Sequence, residues 1–129
     1  MAQDQVWVLY EGLVGSDPAS LTDAQLRLLA LGGLRDEVNN GGFHQYFFNS
    51  AGDLALVAVA AAEQVGANDL ASLVRRALKL LDAPDPVDRS GRQDALEKLE
   101  PEDFDELDQA YFALEQSTDL ASIMRAVTN

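Results

Sequence analysis

The chain has 129 residues, 47% of them apolar, no cysteine, and 22 acidic against nine basic residues, for a net charge of −13. That is one domain's worth of chain, able to bury a core without staples. The missing cysteine excludes disulfides, thiolate metal sites and a Cys nucleophile, and the shortage of Lys and Arg disfavours direct binding to nucleic-acid phosphates.

The lack of cysteine fits a reducing interior. The opening MAQDQVWVLYEG has no basic stretch followed by an apolar run, so it does not read as a signal peptide. The longest apolar run, from Leu54 to Ala62, is nine residues, against the roughly 20 a membrane helix needs. The expectation is a cytoplasmic protein with no membrane segment.

The periodicity is helical from end to end. Val6, Leu9, Tyr10 and Leu13 follow the i, i+3, i+4, i+7 template with Asp4 as a cap, and GSDPAS breaks the chain. Thr22 and Gln25 form a capping box, and Leu21 can staple onto Leu26. This second helix runs through Leu29, Ala30, Leu34 and Val38 and should stop at the asparagines and glycines of 39–42. Residues 53–65, apolar on nearly all sides, read as a buried central helix. Asn68 or Asp69 caps the next helix, whose stripe is Leu70, Leu73, Val74, Ala77, Leu78 and Leu81.

DAPDPVD is a loop, and a short helix over about 91–99 opens at Ser90 with Gln93 three residues on. Pro101 suits the first turn of the following helix, with Glu102 and Asp103 favourable at its positive end; its stripe is Phe104, Leu107, Tyr111 and Leu114. Thr118 or Asp119 caps a last helix carrying Leu120, Ile123, Met124 and Val127. No stretch alternates with a period of two. The sequence predicts a single all-α domain over 1–129, a compact bundle of six to eight helices.

The stretch NNGGFHQYFFNS, residues 39–50, stands apart. Asn40 or Gly41 can take the left-handed conformation that ends a helix. Phe43, Tyr46 and Phe47 then make one apolar face, with Phe48 at its flank, while Asn49 and Ser50 can cap the next helix. A chemical reading would place His44 as an acid or base among Asp36, Glu37, Asn39, Asn40, Gln45 and Asn49. No G-x-S-x-G, H-E-x-x-H, P-loop or dinucleotide fingerprint accompanies it. The sequence therefore predicts no catalytic residue, metal or cofactor, and a structural corner with His44 as the one possible pocket residue.

EVNNGGFHQYFFNSAGD resembles the N-G-G-F-x-Q-[FY]-F-x-N signature of a bacterial domain-of-unknown-function family best known for a DNA-mimic protein. FDELDQAYFALEQSTDLASIMRAV is similar to that family's last two helices. The corner that carries the signature comprises Asn40, Gly41, Gly42, Phe43, Gln45, Tyr46, Phe48 and Asn49. The resemblance implies a helical domain whose acidic surface competes with DNA for a transcription factor.

The acids themselves are unevenly spread: residues 82–119 hold thirteen acids and three bases, a net −10. Glu102, Asp105 and Glu106 fall opposite the apolar stripe of their helix, with Asp108 and Glu115 nearer the boundary. Asp94, Glu97 and Glu100 make a row one helix earlier, and the proline loop adds Asp82, Asp85 and Asp88. Helix residues three or four apart set side chains roughly 5–6 Å from one another, a workable approximation to successive phosphates. The expected partner is a basic protein, a DNA-binding regulator, met through nine of these acids: Asp82, Asp85, Asp88, Asp94, Glu97, Glu100, Glu102, Asp105 and Glu106. The alternatives are an interaction or immunity-type module gripping through the Tyr46/Phe48 corner or another apolar patch, and a small-molecule pocket or enzyme around His44.

Overall fold

A computed structural model describes residues 3–128, and it is all-helical, as predicted, with no strand among the described residues. Seven α-helices follow one another: α1 (Gln3–Leu13), α2 (Asp23–Phe48), α3 (Ala55–Gln64), α4 (Asn68–Leu81), α5 (Arg89–Leu96), α6 (Asp105–Ser117) and α7 (Leu120–Val127). Short 3-10 turns at Pro18–Ser20, Ser50–Leu54 and Pro101–Phe104 join them. No helix is long and apolar enough to cross a membrane among the described residues.

The central element is α2, which packs against α1, α3, α5, α6 and α7. This corrects the expectation of a buried helix over 53–65. That segment starts as a 3-10 turn, and α3 turns Leu56 (47% exposed), Ala60 and Glu63 to the outside. Its alanines at 58, 61 and 62 are buried because they let the backbone lie close on one side only.

The start of α2 is as read: the Thr22 side chain accepts the Gln25 N–H (3.2 Å) and Gln25 Oε1 accepts the Thr22 N–H (2.9 Å), a box worth about 1 kcal/mol. Its end is not. The helix passes through Asn40 and Gly41, and only Gly42 leaves helical geometry, at φ 77°, ψ −176°. That conformation is essentially restricted to glycine. It turns the Phe43 N–H away from the helix axis, toward Asp108 Oδ1 at 2.8 Å, and a last helical segment then runs from Phe43 to Phe48.

Other boundaries shift for local reasons. In α1, Val6 and Tyr10 are buried while Leu9 is 48% exposed, since α2 and α7 are the main neighbours of that helix and its buried stripe is narrow. The α1–α2 approach is close enough that the Tyr10 ring occupies the space a side chain at Gly32 would need. The helix begins at Gln3, ahead of Asp4; the expected Asp4 cap lies outside the described side chains.

Before α4, Gly66 (φ 78°) and Ala67 close a Schellman turn, with Ala67 N–H donating to Ala62 O at 2.8 Å and Gly66 N–H to Glu63 O at 3.1 Å. The chain therefore enters α4 at once, and neither Asn68 nor Asp69 caps it. Ahead of α5 the cap is Asp88, which accepts the Gly91 N–H at 3.2 Å, so the helix starts at Arg89 and includes Ser90. Pro101 opens a 3-10 turn rather than α6 itself. Asp119, not Thr118, caps α7.

Candidate functional site

The 39–50 stretch is a tightly tied corner. Phe43, Tyr46 and Phe47 are wholly buried, whereas Phe48 is 49% exposed. Phe43 meets Tyr111 of α6 edge-on (6.4 Å between centroids, 87°) and Tyr46 likewise (6.3 Å, 80°), geometries that add about 0.5–1.5 kcal/mol per pair beyond burial. Burial of Tyr46 removes it from any contact surface, which leaves Phe48 alone of the two aromatics proposed to grip a partner.

Two polar residues of the signature, Gln45 and Asn49, are half-buried and turn to Glu37. Gln45 Nε2 donates to Glu37 Oε2 at 2.6 Å, and Asn49 Nδ2 donates to both oxygens of the same carboxylate at 3.3 and 3.4 Å. Gly41 leaves the room in which the Gln45 side chain lies. Asn49 thus braces Glu37 instead of capping the next turn, where it makes no side-chain cap bond. Asn39 Nδ2 donates to both Glu115 oxygens at 3.1 Å, and the Tyr111 hydroxyl donates to Glu115 Oε1 at 3.1 Å. Asn40 and Gly41 are exposed.

The residue that locks the corner is one the sequence reading missed. Arg92 of α5 is 0% exposed and uses all five of its N–H donors. Nε donates to Phe47 O (2.8 Å), Nη1 to Pro86 O (2.8 Å) and Val87 O (3.2 Å), and Nη2 to Asn49 O (3.0 Å) and Asp53 Oδ1 (2.6 Å). It thereby satisfies the carbonyls at the end of α2 and its positive charge suits a helix C-terminus. Gln93 Nε2 adds a bond to Phe48 O at 2.9 Å. A signal was available: Arg92, Leu96 and Leu99 recur at helical spacing, so Arg92 holds an inward position of α5.

Electrostatics follow from these contacts. Burial raises the Asp53 pKa, but bonds and charges from Arg89 and Arg92 outweigh it and hold the carboxyl below the usual range. Burial dominates at Asp108 and raises it, the Phe43 N–H and His44 opposing and Asp105 assisting. Burial also drives the Tyr46 hydroxyl far above the usual phenol range, and that hydroxyl has no hydrogen-bond partner among the described residues.

His44 is half-buried, with its ring edge-on to Phe104 (6.2 Å, 78°) and close enough to Asp108 to act on that carboxyl. Among the described residues no group of three or more His, Cys, Asp or Glu side chains is placed to hold a metal.

All nine acids proposed for partner contact, Asp82, Asp85, Asp88, Asp94, Glu97, Glu100, Glu102, Asp105 and Glu106, are exposed. Several also have local tasks. Asp82 is the left-handed residue (φ 54°) that ends α4, Asp85 Oδ1 accepts the Val87 N–H at 3.2 Å, and Asp88 is a cap. Asp105 and Glu106 lie in the first turn of α6, where negative charge is favourable. Asp82 and Asp94 line one groove together with Lys98. Among the described residues the single ion pair made by the nine is Glu106 with Arg76, at 3.8 Å. Other cations are engaged elsewhere: Arg35 with Asp36, Arg75 with Glu63, Arg89 and Arg92 with Asp53, Arg125 with Asp119. Asp108 and Glu115, expected near the boundary, are half-buried and turned to the corner.

No curated protein and no solved structure matches the chain. A family model does, over residues 19–127, which takes in the corner, the acid-bearing segment and every helix after α1. The chain belongs to the DMP19-like protein family.

Proposed function

We propose that this chain is a non-catalytic acidic binding protein that occupies the DNA-binding surface of a basic transcription regulator. The observation that carries this reading is the segment 82–106, with ten exposed carboxylates (Asp103 and the nine above), of which one lies within ion-pair distance of a cation. Unpaired surface charge of one sign steers a basic partner to it and repels other acidic surfaces. The segment is mounted on a braced frame, since Arg92 ties the proline loop and α5 to the end of α2. Charges held in place cost less ordering entropy on binding than charges on a loose chain. The resemblance of the signature to a family with a DNA-mimic member points to a DNA-binding surface as the one displaced. The carboxylates would pair with the partner's Lys and Arg, as phosphates do.

The test is affinity capture from the source cell's lysate on the immobilised chain, washed first with a salt gradient and then with duplex DNA. A basic DNA-binding protein should be retained and should leave with either wash. A companion variant carrying Asp94→Asn, Glu97→Gln, Glu102→Gln and Asp105→Asn should retain less of it and show a shallower salt dependence. Retention unchanged between low and high salt would rule out the electrostatic mechanism.

A further inference from the structure

We infer that the groove between the start of α4 and the α6–α7 joint seats an apolar side chain of a basic partner, carried on a segment with lysine or arginine one to two helical turns away. The inference rests on the proposed acidic-surface function and adds to it a site of non-ionic grip. The groove encloses about 440 Å³ and is walled by Val65, Leu70, Leu114, Leu120 and Ile123, with Tyr111 beside them. That volume is in the usual range of roughly 300–1,000 Å³ for ligand sites.

Its charge limits the occupant. Asp69 and Glu115 line the groove, and no Lys or Arg does. Asp69 sits in the first turn of α4, where it offsets the positive end of that helix, so the groove does not favour an anion. Glu115 has Arg35 at 3.7 Å on its other side, which leaves Asp69 as the more open of the two charges. An aliphatic group next to a cation matches both features.

The groove also continues toward the acidic segment. Asp69 and Leu114 are shared with a second, smaller groove that reaches Arg76 and Ala110 between α4 and α6. Arg76, the cation on that path, is paired with Glu106. Leu114 and Glu106 lie on the same helix, about 12 Å apart along its axis at roughly 1.5 Å per residue. A helical segment lying along α6 thus meets carboxylates at one end and the apolar groove at the other.

Ile123 is the only isoleucine of the chain and Trp7 the only tryptophan, so one isoleucine δ1-methyl signal reports on the groove and one indole signal reports on α1. The full chain is titrated with two synthetic helical peptides of equal charge, lysine-bearing in one turn and carrying leucines or alanines in the next. The leucine peptide should shift the Ile123 methyl and leave the Trp7 indole unmoved. It should also bind about tenfold or more tighter than the alanine peptide, the worth of burying one leucine, with both affinities falling alike as salt rises. Thr118→Trp, which fills the groove from its half-exposed rim, should reduce the difference to about twofold. Asp69→Asn, which removes the charge at an exposed position and keeps the size of the side chain, should weaken the leucine peptide several-fold. Equal affinity of the two peptides without an Ile123 shift overturns the groove and leaves the acidic surface standing. Failure of both peptides to bind overturns the two together. If hexylammonium alone shifts Ile123 with the affinity of the leucine peptide, the groove is a small-amphiphile site and the inference is wrong.

Discussion

Replacing Gly42 by alanine perturbs the corner at its most constrained point. At φ 77°, ψ −176°, a residue with a Cβ carries strain of about 1–3 kcal/mol. The new methyl would also run into the Asp108 carboxylate, which accepts the Phe43 N–H at 2.8 Å. Displacing that carboxylate leaves a buried N–H without its acceptor, a further cost of about 1–3 kcal/mol. Together the loss is about 2–6 kcal/mol, against a total stability on the order of 5–15 kcal/mol for a domain. Urea unfolding followed by circular dichroism reads it as a fall in midpoint at constant slope. The two contributions separate in an Asp108→Ala background, where the N–H is already unsatisfied and the methyl has room, so that Gly42→Ala should add only the strain of about 1–3 kcal/mol. Gly12→Ala is the control: Gly12 is an exposed residue of α1 with nothing near its missing Cβ, and alanine there should stabilise by about 0.5–1 kcal/mol. A Gly42→Ala protein within about 0.5 kcal/mol of wild type, or equal increments in the two backgrounds, would refute the account of the corner.

Arg92→Met should cost about 3–5 kcal/mol, because it strands the carbonyls of Phe47, Asn49 and Pro86 and leaves the Asp53 carboxylate with Arg89 alone; an unchanged urea midpoint would mean the clamp is dispensable. Asp53→Asn tests the lowered pKa of Asp53. A carboxyl whose folded pKa lies below its unfolded value stabilises above the unfolded value and loses that contribution as the pH falls through the folded one. The gap between wild type and variant should therefore be largest near neutrality and close below about pH 4, whereas a gap independent of pH would contradict the sign. Tyr46→Phe should leave stability within about 0.5 kcal/mol of wild type, since the hydroxyl it removes has no protein partner among the described residues. A thermal melt showing a loss above about 1 kcal/mol would mean that hydroxyl is hydrogen-bonded.

The all-helical class and most helix positions were legible because they depend on periodicity, which is local. So was the capping box at Thr22 and Gln25, and so was the exposure of Glu102 in the turn before α6 and of Asp105 and Glu106 on α6 itself. What escaped depends on segments distant in sequence. Gly42 rather than Asn40 or Gly41 carries the break because Asp108, 65 residues from Phe43, is there to take the freed N–H. Asn49 reads as a cap by type, yet its amide serves Glu37, twelve residues back. Residues 53–65 looked central because alanine counts as apolar on every side, though small residues mark a close approach on one side only. Arg92 carries no motif of its own, and its burial is intelligible only once two stretches of backbone, 47–49 and 86–87, turn their carbonyls to it.

That guanidinium also bears on the order in which the chain assembles. Its partners at Phe47, Asn49 and Asp53 lie 45, 43 and 39 residues away, so their contact requires closing a long loop, with an entropy cost that local helix formation does not incur. The helices can therefore form on local contacts, while the join between the signature segment and the acidic segment belongs to the late part of folding. Until α5 docks, the carbonyls of Phe47 and Asn49 remain hydrated and the proline loop at Pro86 and Val87 is not joined to the corner. The corner is therefore complete only once α5, with Asp94 on it, is in place.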